Sequence, residues 1–147
     1  MQKFTKRINK RLGSLLIEQG IISKKQLEKA LEMQKQEGGL IGEIIVGLGF
    51  AKEEDIVYTL SIQYGLPYIP LENYEISDAL TKIIPKHVAR QYCAIPIDKM
   101  GDTLTVVMAN PLNAQAMEDL EYVSKCQIQV FVASVSDIRK AIEKLYP

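Results

Sequence analysis

In the first third of the chain apolar residues recur every three or four positions, the spacing of one helix face. Leu12, Leu15 and Leu16 open such a stripe. It stops at Gly20, a residue suited to the left-handed conformation that closes a helix. Ser23 with Gln26 three positions later is a capping-box signature, which predicts a second helix from there to about Gln36. The pattern then returns at an offset of 29 residues: Gly13 matches Gly42, Gly20 matches Gly49, Leu31 matches Leu60 and Gln34 matches Gln63. Leu12, Leu15, Leu16, Ile17 and Leu27 align in the same register with Ile41, Ile44, Ile45, Val46 and Ile56. Self-similarity at a fixed period marks a duplicated supersecondary unit. Each copy reads as helix, tight turn, helix, with Gly38-Gly39 as the link. Glu53, Glu54 and Asp55 place carboxylates at the positive end of the last helix dipole.

The helical pattern ends at Gly65-Leu66-Pro67-Tyr68-Ile69-Pro70, where two prolines enforce an extended path. Beyond it Asp78–Ile84 and Pro85–Tyr92 read as helices. Ala94–Asp98 and Thr103–Met108 are short strands joined through Lys99-Met100-Gly101-Asp102 as a hairpin. Ala114–Lys125 reads as an amphipathic helix, Ile128–Val132 as a third strand, and Ser136–Leu145 as a last helix capped by Ser136. The expected fold class is α+β. A tandem helix–turn–helix repeat of about four helices fills residues 1–65. Residues 66–74 form an extended linker, and 75–147 a small α/β subdomain with a short, partly antiparallel sheet flanked by helices.

Composition narrows the function. With 147 residues, 47% of them hydrophobic, the chain can bury a core without a metal or a disulfide. Its longest apolar run, Ile44 to Ala51, is far short of the ~20 residues that span a bilayer. The expectation is a cytoplasmic chain that reaches the inner membrane only through partners. Eighteen basic residues balance eighteen acidic ones, so no overall field draws it to nucleic acid, and Glu53, Glu54 and Asp55 would face phosphate. Cys93 and Cys126 lack any ligand-like spacing and read as partly buried thiols. His87 is the only histidine and sits in a surface-like segment, which leaves no nucleophile–base pair and no metal site. Gly42 and Gly47 have the spacing of a phosphate-binding loop, but Leu48 stands where its lysine must be. No enzymatic activity is expected of this chain.

What remains is binding. Lys3, Lys6, Arg7, Lys10 and Arg11 all precede the first acidic residue, Glu18. Arg11 is distinguished because it adjoins the repeated Leu-Gly at a helix start, where backbone N–H groups also favour an anion. Leu27, Leu31, Gln34 and Ile56, Leu60, Gln63 form equivalent stripes, each ending in an amide that can donate and accept. Periodicity alone also accommodates a core stripe whose glutamine meets water.

Read together, Arg11-Leu12-Gly13, Leu15-Leu16, Gly20-Ile21-Ile22, Leu27, Ala30-Leu31 and Gln34, with a second copy five residues later, resemble the MshEN domain. That family forms the N-terminal domain of type II secretion and type IV pilus assembly ATPases. Ile95-Pro96-Ile97, the run from Leu104 to Pro111, and Ala116 to Leu120 resemble its second half. The resemblance implies binding of cyclic di-GMP, one guanosine half per repeat, and attachment to an ATPase domain and assembly-platform proteins. It implies ligand contacts at Arg11, Leu12, Gly13, Leu27, Leu31 and Gln34, and at Ile41, Gly42, Ile56, Leu60 and Gln63. Two departures stand out: Leu40 replaces the second copy's arginine, and Asn110 stands where the family often has aspartate. The competing expectation is a ligand-free docking module that links the ATPase to its membrane-associated partners.

Overall fold

Both copies of the repeat fold as helix, turn, helix in the structure, a computed structural model that describes residues 12–111 and 113–147. Helix α1 covers 12–18 within the described residues, followed by α2 (Lys24–Glu37), α3 (Ile41–Gly47) and α4 (Glu53–Tyr64). The turns after α1 and α3 are the same turn. Gly20 and Gly49 hold φ of +73° and +78°. Gly20 N–H donates to Ile17 O and Ile21 N–H to Leu16 O, both at 2.9 Å; Gly49 N–H and Phe50 N–H repeat this with Val46 O and Ile45 O at 2.9 and 3.1 Å. This double closure satisfies carbonyls that a helix end otherwise leaves bare.

The second helices start differently. Ser23 Oγ accepts from Gln26 N–H at 3.1 Å while Gln26 Oε1 accepts from Ser23 N–H at 2.8 Å, a full capping box. In the second copy Lys52 has no acceptor to offer, and only the return bond survives, from Lys52 N–H to Asp55 Oδ2 at 3.0 Å. A second difference joins the copies. Ala30 and Thr59 are equivalent and both fully buried. The Thr59 hydroxyl lies 2.8 Å from the Asp55 carbonyl oxygen and 3.0 Å from Gln19 Oε1, so α4 is tied to the end of α1.

The other half contains α5 (Lys86–Tyr92), β1 (Ala94–Met100), β2 (Thr103–Met108), α6 (Ala114–Ser124), β3 (Gln127–Val132) and α7 (Val135–Leu145). β1 and β2 are antiparallel, with Met100 opposite Thr103 and a register shift between Pro96 and Asp98. Their turn is the two residues Gly101-Asp102, and Gly101 takes the positive φ, +57°, required at the first position of such a turn. α6 then crosses over to bring β3 parallel to β2, from Thr103 opposite Gln127 to Met108 opposite Val132. The result is a three-stranded sheet in the order β1-β2-β3, the α+β architecture with a partly antiparallel sheet. Pro67 to Ile69 run beside the end of β3: Val132 N–H donates to Pro67 O at 2.8 Å and Ile69 N–H to Val132 O at 3.1 Å.

Two expectations are corrected. The segment from Asp78 is helical but short, a 3-10 helix over Asp78–Lys82 that stops before Ile84, since the residue preceding Pro85 is driven out of the helical region. α7 begins one residue before Ser136. Its cap is Ser134, whose Oγ accepts from Asp137 N–H at 3.1 Å, and Ser136 has another partner.

Two apolar clusters carry the fold. One gathers Leu16, Ile45 and Leu60 from the repeat around Val132 at the end of β3. The other joins Ile95, Leu104 and Met108 of the sheet to Leu120, Ile138 and Ile142 of the helices. Tyr146 closes it, donating to the Ile84 carbonyl at 2.7 Å, and burial pushes its phenol up to about 12.

Candidate functional site

Where the repeat meets the α+β half, a narrow, solvent-open cleft forms. Leu12, Ile41 and Ile56 make its apolar floor, and all three are buried. Gly42 brings α3 close to that floor: a Cβ there would lie 3.4 Å from Ile56 Cγ2 and 3.8 Å from Leu12 Cδ2. The first copy is tighter, for a Cβ on Gly13 would lie 2.6 Å from Leu27 Cδ1. There the missing side chain lets the first helix press on its partner's branched residue, whereas at Gly42 a methyl would meet Ile56 at ordinary contact distance. Ala109 and Asn110 just after β2, Ala133 and Ser134 between β3 and α7, and Val135 at the start of α7 form the far wall.

Two carboxylates also line this cleft, Glu43 of α3 and Glu53 of α4, and both are held from α7. Arg139 grips Glu43 with two bonds, Nη1 to Oε1 at 2.8 Å and Nη2 to Oε2 at 2.9 Å. This fork geometry is the strong form of an arginine–carboxylate pair. The hydrogen bond to Glu43 holds the Arg139 guanidinium above its ordinary range. Glu53 Oε1 accepts from Ser136 N–H at 3.1 Å and from Ser136 Oγ–H at 2.8 Å. Beyond the cleft, beside Arg139, lies Cys93, whose thiol burial pushes up to about 11 and keeps protonated.

The expected contact residues divide into groups. Leu12, Ile41, Gly42, Ile56 and Asn110 come together at the cleft, and Leu40 with them. Gly13 packs against Leu27 instead. Leu27 and Leu31 lie half-buried on α2. Gln34 Nε2 donates to the Gly39 carbonyl at 3.0 Å, tying the end of α2 to the glycine link. Leu60 is buried in the repeat core and Gln63 is exposed. Arg11 and the basic residues before it lie outside the described residues.

Glu43, Glu53 and the turn around Ser134 were not marked by sequence reasoning, which saw Glu53 only as a helix-start acid. Their partners lie 83 to 96 positions away, so no local pattern carries that signal. His87 is exposed on α5. Cys93 and Cys126 are free and buried. Among the described residues no group of three His, Cys, Asp or Glu side chains could hold a metal, and no helix is long and apolar enough to cross a membrane.

A domain with a duplicated helical unit set against a three-stranded α+β half can be compared with known proteins. The model of the MshEN domain matches residues 64–147. The type IV pilus assembly ATPase PilB of Myxococcus xanthus is 38% identical over 136 residues, 92% of this chain and 24% of that protein. The PilB of Thermus thermophilus is 28% identical over 141 residues, 95% of this chain and 16% of its own length. The chain belongs to the MshEN domain family. It spans about a quarter or less of these two curated relatives. Among solved structures, MshE with cdg is similar at 32% identity and a TM-score of 0.73, covering 92% of this chain and 98% of that one. The N-terminal domain of XpsE shares the fold, with a TM-score of 0.81 at 20% identity over 95% of this chain and 96% of that one. The family model begins only at Tyr64, whereas the alignments with the Myxococcus PilB and with MshE also take in most of the repeat.

Proposed function

We propose that this chain is a cyclic di-GMP-binding regulatory domain of a type IV pilus or type II secretion ATPase, and that the cleft takes one guanosine of the ligand. The observation that carries this reading is the convergence of Leu12 from the first motif copy, Ile41, Gly42 and Ile56 from the second, and Asn110 from beyond β2 on one cleft. The similarity to MshE, solved with cdg, supports it. Apolar Leu12, Ile41 and Ile56 cover a purine face. Asn110 meets the purine edge with an amide that both donates and accepts. Glu43 would repel a phosphodiester, but its clamp by Arg139 offsets that charge.

In this reading residues 1–65 supply the apolar contacts and 75–147 close the site from the other side. Leu27, Leu31 and Gln34 serve the second guanosine with Arg11, and Leu60 and Gln63 support the cleft from α4. The domain performs no chemistry of its own. It regulates an attached ATPase and its assembly-platform partners on the cytoplasmic side of the membrane.

Thermal unfolding with and without the dinucleotide tests the proposal. Ligand at a hundred times its dissociation constant should add about 2.7 kcal/mol of stability. No change in melting temperature at millimolar cyclic di-GMP would overturn it and favour the docking module.

A further inference from the structure

Of the two carboxylates at the cleft, one has a partner on each oxygen and an ion pair, and the other has neither. Arg139 occupies both oxygens of Glu43 and neutralises it. On Glu53 both Ser136 donors fall on Oε1. Among the described residues no donor reaches Oε2, and no ion pair neutralises the group. A carboxylate has about four lone-pair positions, so Oε2 retains capacity for a donor brought by a ligand.

We propose that Glu53 is a specificity-determining residue, held in place through Oε1 by Ser136, whose Oε2 accepts from the N–H edge of a guanine in the cleft. The inference rests on the cyclic di-GMP reading and deepens it. Guanine presents N1–H and N2–H2 side by side, two donors that a carboxylate oxygen matches. Adenine presents the bare N1 at the corresponding place, and two acceptors face to face repel. Asn110 can accept only through its carbonyl oxygen and brings an N–H2 with it, so it discriminates less between the two purines. Glu53 supplies the charged acceptor that Asn110 lacks, and charged acceptors make the stronger hydrogen bonds.

The anchor gives the arrangement its precision. Glu53 stands at the first position of α4, and a long side chain there would normally sample several rotamers. Two hydrogen bonds from Ser136 fix one of them, so a guanine meets a carboxylate already oriented. Ser136 is thus a positioning residue, and Glu53 the one that touches ligand.

Calorimetric titration of the full chain with cyclic di-GMP and, separately, cyclic di-AMP tests this. The wild type should prefer the guanine ligand. Glu53→Gln keeps an oxygen for Ser136, so it should fold normally, as circular dichroism and melting temperature will show. It should bind cyclic di-GMP about tenfold more weakly, the difference between a charged and a neutral acceptor, with cyclic di-AMP bound more tightly because the repulsion at adenine N1 is relieved. Ser136→Ala should weaken cyclic di-GMP less while keeping the preference. An unaltered ratio of the two affinities in Glu53→Gln would overturn the role of Glu53 alone. Equal binding of both dinucleotides by the wild type would overturn it as well. Binding of neither would bring down the cyclic di-GMP reading together with it.

Discussion

Adding one methyl group to each of the paired glycines should have opposite consequences, although Gly13 and Gly42 are equivalent positions of the repeat. At Gly42 the new Cβ would lie 3.4 Å from Ile56 Cγ2 and 3.8 Å from Leu12 Cδ2, which is ordinary contact. Replacing a helical glycine by alanine is worth up to about 1 kcal/mol in propensity. Gly42→Ala should therefore leave the fold as stable or slightly more so. At Gly13 the Cβ would lie 2.6 and 2.8 Å from the two Leu27 methyls and 3.3 Å from its Cγ. Leu27 must rotate away, and overpacking of this kind costs about 1–3 kcal/mol, which exceeds the gain in propensity. The two variants should differ by roughly 1–3 kcal/mol, or several degrees at about 2–4 °C per kcal/mol for a chain of this size. Thermal unfolding followed by circular dichroism reads the difference. Equal melting temperatures, or a more stable Gly13→Ala, would refute the packing argument. Titration adds a second axis, because the Gly42 methyl narrows the cleft. Gly42→Ala should bind cyclic di-GMP more weakly while its fold is intact.

Leu40 lines the cleft at the start of α3 and has no capping bond to lose. Leu40→Arg should tighten cyclic di-GMP about tenfold through charge-assisted bonds, against about 0.3–1 kcal/mol of stability for a cation at a helix N-terminus. An unchanged dissociation constant would remove position 40 from the site. Tyr146 predicts an alkaline limit: burial raises its phenol from 10.0 to about 12, so the folded state favours the protonated ring. Its contribution is complete below pH 10 and is lost as pH rises through 12. Tyr146→Phe should cost about 1 kcal/mol at neutral pH, since its bond to Ile84 is lost, and should flatten the fall in melting temperature between pH 9 and 12. Parallel alkaline curves for the two proteins would contradict this.

The repeat was legible in the sequence because its determinants are local. A left-handed glycine and a serine followed by glutamine act within six residues, and the sequence carries the glycine twice. The hairpin at Gly101 was legible for the same reason. Equivalence of the two stripes was not a guide to burial: α4 lies against β3, so Ile56 and Leu60 are buried, while Leu27 and Leu31 on α2 stay half-exposed. The cap of α7 illustrates another limit. Ser134 and Ser136 offer the same hydroxyl, and the choice between them depends on Glu53 arriving from another element. The same distance hid both cleft carboxylates.

A sheet of only three strands has little interior to protect it, and an open edge is an invitation to pair with another molecule. Here neither edge offers a clean template. The outer side of β1 carries Pro96, a break in register beside it, and then exposed Asp98 and Lys99. On the other side the segment from Pro67 to Ile69 caps the end of β3 with two hydrogen bonds. The stretch that joins the repeat to the sheet therefore also acts as a guard strand. Against a neighbouring copy, the irregular edge of β1 and the covered end of β3 both work against the two sheets fusing into one.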